Sequence, residues 1–193
     1  MKKLLMTLGL MLSLNAQATL LSLNIDEQLY NVGDTVTAEI VVSDIELVAG
    51  FQREVAGFNL NLDFDNTLLS LAGISFGNQL DQNAGMSIQT SFDLGTSAFI
   101  SELSFLPGFV LAFEQSLLSS FVLATVSFEV LAEGQANFGF SNVALTDSTS
   151  ASFNGLQTQG SSLTLGNTVQ VPAPTTLLLA LLPAAFLVRR TRQ

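Results

Sequence analysis

The stretch GFNLNLDF, residues 57–64, alternates without a break. Phe58, Leu60, Leu62 and Phe64 fall on one face, and Asn59, Asn61 and Asp63 on the other. A period of two describes a strand with one face buried and one face wet. The same alternation recurs at Leu21, Leu23 and Ile25, at Val36, Ala38, Ile40 and Val42, and at Val122, Ala124, Val126, Phe128 and Val130. Turn signals separate these runs: Asn31-Val32-Gly33-Asp34, Gly73, Gly77, Asp65-Asn66 and Glu133-Gly134. Many short alternating strands at such spacing predict an all-β sandwich. Helical periodicity is scarce. Phe113 to Ser120 is assigned one short helical turn or a loop, and the polar segments 81–85 and 147–155 are assigned to loops. A last strand is expected at Ser162 to Leu165, followed by a linker. There is no internal repeat.

The two ends differ in kind from this body. The chain begins MKKLLMTLGLMLSLNAQA: Lys2 and Lys3, then an apolar run, then Ala16-Gln17-Ala18. That order is a secretory signal peptide with cleavage expected after Ala18. The chain ends VPAPTTLLLALLPAAFLVRRTRQ. Thr175 to Val188 carries no charge, and with the residues back to Val171 it approaches the lower limit of about 17 for a membrane span. Arg189, Arg190 and Arg192 follow and hold that end in the cytoplasm. Pro183 is tolerable within a membrane helix. The alternative for this tail is a permanent anchor.

Between the ends, Arg53 is the only basic residue against all 16 acidic ones, a net charge of −15. Such a surface repels phosphate backbones and anionic lipid, so nucleic-acid binding is excluded. It keeps an exported protein soluble. Cysteine is absent, so the sandwich rests on its core, which about 150 residues are enough to bury.

The same body has no His, no Cys and no Lys. This removes the common nucleophile–base pairs, His-ligated metals and Schiff-base lysines. Asp63 and Asp65 are the nearest carboxylate pair that could run glycoside hydrolysis. Their ordinary roles are a solvated strand end and a turn former, and no catalytic residue is assigned. No cofactor is assigned other than calcium, which suits oxygen donors. Asp63, Asp65 and Asn66 cluster at one turn and are the calcium candidates, with Asp147 in another loop; the default is acidic loops that serve solubility. There is no Trp, Tyr30 is the sole Tyr, and the fifteen Phe are assigned to the core rather than to a sugar-stacking platform.

Three stretches carry a resemblance: YNVGDTVTAEIVVSDI at 30–45, VAGFNLNLDFDNTLLSL at 55–71 and FVLATVSFEVLAEGQANFGFSNVALTDS at 121–148. In that order and spacing the chain resembles the cohesin domain of cellulosome scaffolds and bacterial surface proteins. Gly33-Asp34, Gly57 to Leu68 and Leu123 to Val130 match the family's pattern, and Asn66 stands where the family usually has proline. The resemblance implies a cohesin-like jelly-roll β-sandwich of about nine strands, related in shape to carbohydrate-binding modules.

The tail resembles a PEP-CTERM sorting signal: Val171, Pro172, Ala173, Pro174 and Thr175, then the apolar segment, then Arg189, Arg190 and Arg192. Ala173 takes the place of the usual glutamate. The resemblance implies processing by an exosortase, a membrane cysteine protease, after a transient stop in the inner membrane.

The expected organisation is a signal peptide over 1–18, a cohesin-like sandwich over 19–166, a linker with the sorting motif over 167–174, and a transmembrane segment with a basic tail over 175–193. The expected function is non-enzymatic: an exported cell-surface or extracellular-matrix protein of a Gram-negative-type bacterium that binds a surface protein. The alternative is a module that binds exopolysaccharide.

Overall fold

The computed structural model of the protein describes residues 18–82 and 85–166. Among the described residues twelve strands and one helix follow in order: β1 (Leu20–Ile25), β2 (Thr35–Ser43), β3 (Leu47–Val48), β4 (Phe51–Gln52), β5 (Gly57–Asp63), β6 (Leu69–Phe76), β7 (Ser87–Asp93), β8 (Ser97–Ser104), α1 (Gly108–Gln115), β9 (Ser120–Val130), β10 (Gly134–Thr146), β11 (Gln157–Gln159) and β12 (Ser161–Leu165). One sheet has the order β11-β1-β2-β9-β6 and the other β12-β10-β5-β8-β7; β3 and β4 form a separate hairpin. Ten strands therefore build the two layers, where about nine are expected. The alternating runs and the expected last strand account for β1, β2, β5, β9 and β12; β11, which pairs parallel with β1, is among the others.

The alternating runs become the inner faces, except at Val122: a break in the β2–β9 register buries Phe121 and Leu123 there and leaves Val122 half-buried. Phe58, Leu60 and Leu62 of β5 face Val36, Ala38 and Ile40 of β2 and Ala124, Val126 and Phe128 of β9 in one core. Phe128 lies 4.9 Å from Phe64 and 5.5 Å from Phe138, ring centre to ring centre, which ties β9 to both β5 and β10. Asn59, Asn61 and Asp63 lie on the opposite face of β5, partly exposed.

Two glycines act as foreseen and one does not. Gly33 takes φ +91° in the turn before β2, where Asp34 accepts the Asn31 N–H. Gly77 closes β6 against β9, and a Cβ there would meet the Val122 carbonyl oxygen at 2.0 Å. Gly73 is not a turn. It sits inside β6, just past a break in the register with β9.

The helix also begins before the segment assigned to it, at Gly108 rather than Phe113. Pro107-Gly108 reads as a break but serves as a start, since proline is preset for the edge of a helix. Only Leu111 and Gln115 face inward, while Phe109 and Phe113 face solvent. The apolar period of this helix therefore points away from the core.

The strands run between two ends of the sandwich. Leu20, Ser43, Gly57, Leu103, Ser120 and Thr146 lie at one end, with α1 and the β3–β4 hairpin nearby. Leu165 pairs with Gly134 at the other, where the described chain stops at Gly166. Among the described residues no helix is long and apolar enough to cross a membrane. Ala16, the linker over 167–174 with Val171, Pro172, Ala173 and Pro174, and the tail over 175–193 with Thr175, Arg189, Arg190 and Arg192 lie outside the described residues. Ala18 is the first residue described.

Candidate functional site

The edge strand β7 has its polarity reversed. Ser87, Gln89, Ser91 and Asp93 turn toward the other sheet; Ile88, Thr90 and Phe92 turn outward. The register with β8 sets Ile88 opposite Leu103, Thr90 opposite Ser101 and Phe92 opposite Phe99. The Phe92 and Phe99 rings stack with centres 6.0 Å apart. Ile88 is 57% exposed, Phe92 58% and Leu103 48%. Across the neighbouring β5 the same face continues with Asn59 and Asn61. A sheet face that is apolar along one edge and amide-bearing along its middle has the make-up of a protein-binding surface. Assigning every Phe to the core is corrected here: Phe51, Phe92, Phe105, Phe109 and Phe113 are exposed.

Behind that face lies a buried carboxyl. Glu102 of β8 is 1% exposed on the inner side, opposite Phe58. Its Oε1 accepts hydrogen bonds from the Ser87 hydroxyl at 2.7 Å and the Gln89 amide at 2.9 Å. Its Oε2 has no partner. Burial pushes the Glu102 carboxyl up, the bonds from Gln89 and Ser87 oppose this, and the charge of Asp81 adds to it. The inward polar side of β7 thus serves Glu102, which leaves its apolar side for solvent.

Arg53, the lone cation of the body, is an internal pin. It pairs with Glu46, with Nη1 as donor, and its Nη2 lies 2.6 Å from Asp147 Oδ2. Its guanidinium also donates to the Ala151 and Ser152 carbonyls and lies 4.3 Å from the centre of the Phe153 ring. Burial pushes the Arg53 pKa down, but the bonds to and charges of Glu46 and Asp147 together outweigh it and raise it. Burial pushes the Asp147 carboxyl up, but bonds from Thr149, Arg53 and the Ala151 and Thr149 N–H groups outweigh it and bring it to about 2. Asp147 is thereby committed to its own loop. Gln115 does similar work for α1: its Oε1 accepts the Val55 N–H at 2.8 Å and its Nε2 donates to the Val55 carbonyl at 2.9 Å.

The calcium candidates are placed as follows. Asp63 ends β5, and its Oδ1 accepts the Ser141 hydroxyl at 3.1 Å. Asp65 lies beyond the strand, in the turn, where its Oδ1 accepts the Thr67 N–H at 2.9 Å and hydroxyl at 2.6 Å. These two bonds, the hydroxyl's first, lower the Asp65 pKa. Asn66 is exposed beside it. Asp63 and Asp65 therefore do not share a strand face. Among the described residues no three His, Cys, Asp or Glu side chains gather closely enough to hold a metal ion.

Two sheets of this order, the alternating β5 and the β9 run fall within a single family model, the cohesin domain, which matches residues 21–171. The chain belongs to the cohesin family. Solved cohesins share its fold at low identity. A type II cohesin from the cellulosome of Acetivibrio cellulolyticus superposes with a TM-score of 0.61 at 17% identity, covering 76% of this chain and 95% of that one. A non-cellulosomal cohesin from the hyperthermophilic archaeon Archaeoglobus fulgidus gives 0.57 at 11%, covering 79% and 94%. The sixth cohesin of Acetivibrio cellulolyticus scaffoldin B, solved in complex with a Cel5 dockerin, gives 0.57 at 14%, covering 77% and 99%. No curated protein matches the chain. Cohesin domains are non-catalytic protein-binding modules, typically extracellular or on the cell surface.

Proposed function

We propose that this cohesin is an exported surface or matrix protein that binds a protein partner through the outer face of β7 and β8. The supporting observation is the exposed ladder of Ile88–Leu103 and Phe92–Phe99 beside the amides of Asn59 and Asn61. Buried apolar anchors with a polar surround are what an association surface needs. The dockerin bound by the scaffoldin B cohesin indicates the kind of partner: a small protein module.

Sorting belongs to the same proposal. The signal peptide exports the chain, the PEP-CTERM-type tail halts it in the inner membrane, and an exosortase releases it to the surface or matrix. The acidic turn of Asp63, Asp65 and Asn66 serves solubility in this proposal. Calcium bound there is the alternative: millimolar calcium would then raise the melting temperature by binding the native state, and Asp65→Ala would abolish the rise.

A second reading, exopolysaccharide recognition, is favoured by one feature. A groove of about 540 Å³ crosses the outer face of the first sheet, lined by Ser22, Asn24, Glu39 and Gln159 among others. Host surface material treated with protease or with glycan-degrading enzymes separates the two. Binding lost with protease and kept after glycan digestion supports the protein partner; the reverse supports the polysaccharide.

A further inference from the structure

A second apolar surface lies at the end of the sandwich that carries α1. Phe109 is 78% exposed, Phe113 74%, Leu117 90% and Phe51 78%. Phe109 and Phe113 are one helical turn apart and share a side of α1. This is no frayed segment. Gln115 holds the helix to Val55 through two hydrogen bonds, and the Gln52 amide donates to the Gln115 carbonyl at 3.1 Å. The last contact ties the β3–β4 hairpin, with Val48 opposite Phe51, to the C-terminal end of α1. At Gly108 the helix start lies so close to Ser148 that a Cβ would meet the Ser148 hydroxyl at 2.2 Å. The aromatic rings thus stand on a fixed platform at this end of the sandwich.

Charge selects what covers them. Within the described body the one positive group is Arg53, about nine-tenths buried against Glu46 and Asp147. The surface charge around the rings is negative: Glu114 and Asp44 are exposed, and Glu54 is half-buried beside Gly108. A second copy would bring the same excess of negative charge, and anionic lipid would be repelled as well. We infer that the α1 end docks a cationic amphipathic polypeptide segment, whose apolar side covers Phe109, Phe113, Leu117 and Phe51 while its Lys and Arg residues meet the acidic rim. The described chain stops at Gly166, at the opposite end of the sandwich.

The mature protein from its host tests this with four probes. These are a synthetic Leu/Lys amphipathic helix of about 14 residues, its Leu/Glu counterpart, phosphatidylcholine vesicles, and the protein itself in sedimentation. The Leu/Lys peptide binds, and more weakly as salt rises. Phe109→Ser with Phe113→Ser weakens it about tenfold or more, while Phe92→Ser on the sheet face leaves it unchanged. All three substitutions are at exposed sites, and unchanged far-UV spectra exclude misfolding. Equal binding of the Leu/Glu peptide, indifference to the double substitution, or its selective loss of vesicle binding or self-association overturns the inference.

Discussion

Arg53 Nη2 and Asp147 Oδ2 lie 2.6 Å apart and join residues 94 positions apart in sequence. With Glu46 on the other side, the pair locks the loop after β10 to the β3–β4 hairpin. Both partners are nearly buried. Removing one side of such a pair leaves an uncompensated charge. Arg53→Met should therefore cost about 3 kcal/mol, and Asp147→Asn less, since Glu46 still faces Arg53. Chemical denaturation checks this. The pH dependence has a definite sign: the folded Asp147 carboxyl lies at about 2, so its stabilisation is complete above the usual carboxylate range and is lost as pH falls toward 2.

Glu102 carries the opposite sign. Its folded pKa is raised, so the folded state holds the proton more tightly than the unfolded chain does. There is no cost below the ordinary glutamate range. The cost grows as pH rises through the raised value and is full above it. Glu102→Gln should raise the melting temperature near pH 8 by about 2–4 °C, the equivalent of about 1 kcal/mol in a domain of this size. Near pH 3.5 it should change little. Melting curves at the two pH values measure the difference.

The register of β5 has its own test. Leu60 is fully buried, and Asn61 faces outward. Leu60→Asp should destabilise the fold by about 4 kcal/mol or more. Asn61→Asp should stay within about 0.5 kcal/mol. Equal damage from both would contradict the register.

Those contrasts show where sequence reading succeeds. β1, β2, β5 and β9 from Ala124 onward bury one face and alternate, so their hydrophobic pattern reports their position. The pattern misleads where exposed apolar groups carry it. Phe109 and Phe113 give α1 an outward apolar side, and Ile88 and Phe92 give β7 an outward apolar face. A rule that places Phe inside hides both surfaces. The β11 strand, three polar residues held by β1, has no apolar signal at all. Arg53 offered one clue, as the sole cation among acidic residues. Glu102 offered none, because one carboxylate in sixteen looks like any other until its strand is paired.

The tail proposal predicts a mature chain lacking most or all of residues 175–193. Intact mass spectrometry of the protein from its native host reads this directly. A chain still ending at Gln193 and held in the inner membrane would make the tail a plain anchor.

Quantitative affinity capture from the native host's surface fraction probes the outer face of β7 and β8. Wild-type protein is compared with Ile88→Glu/Phe92→Glu and with Asn24→Arg in the groove of the first sheet. A protein partner should be retained by wild type and by Asn24→Arg and lost from the double variant, with all three equally folded. Retention by the double variant, or loss of the captured material from Asn24→Arg alone, would contradict it.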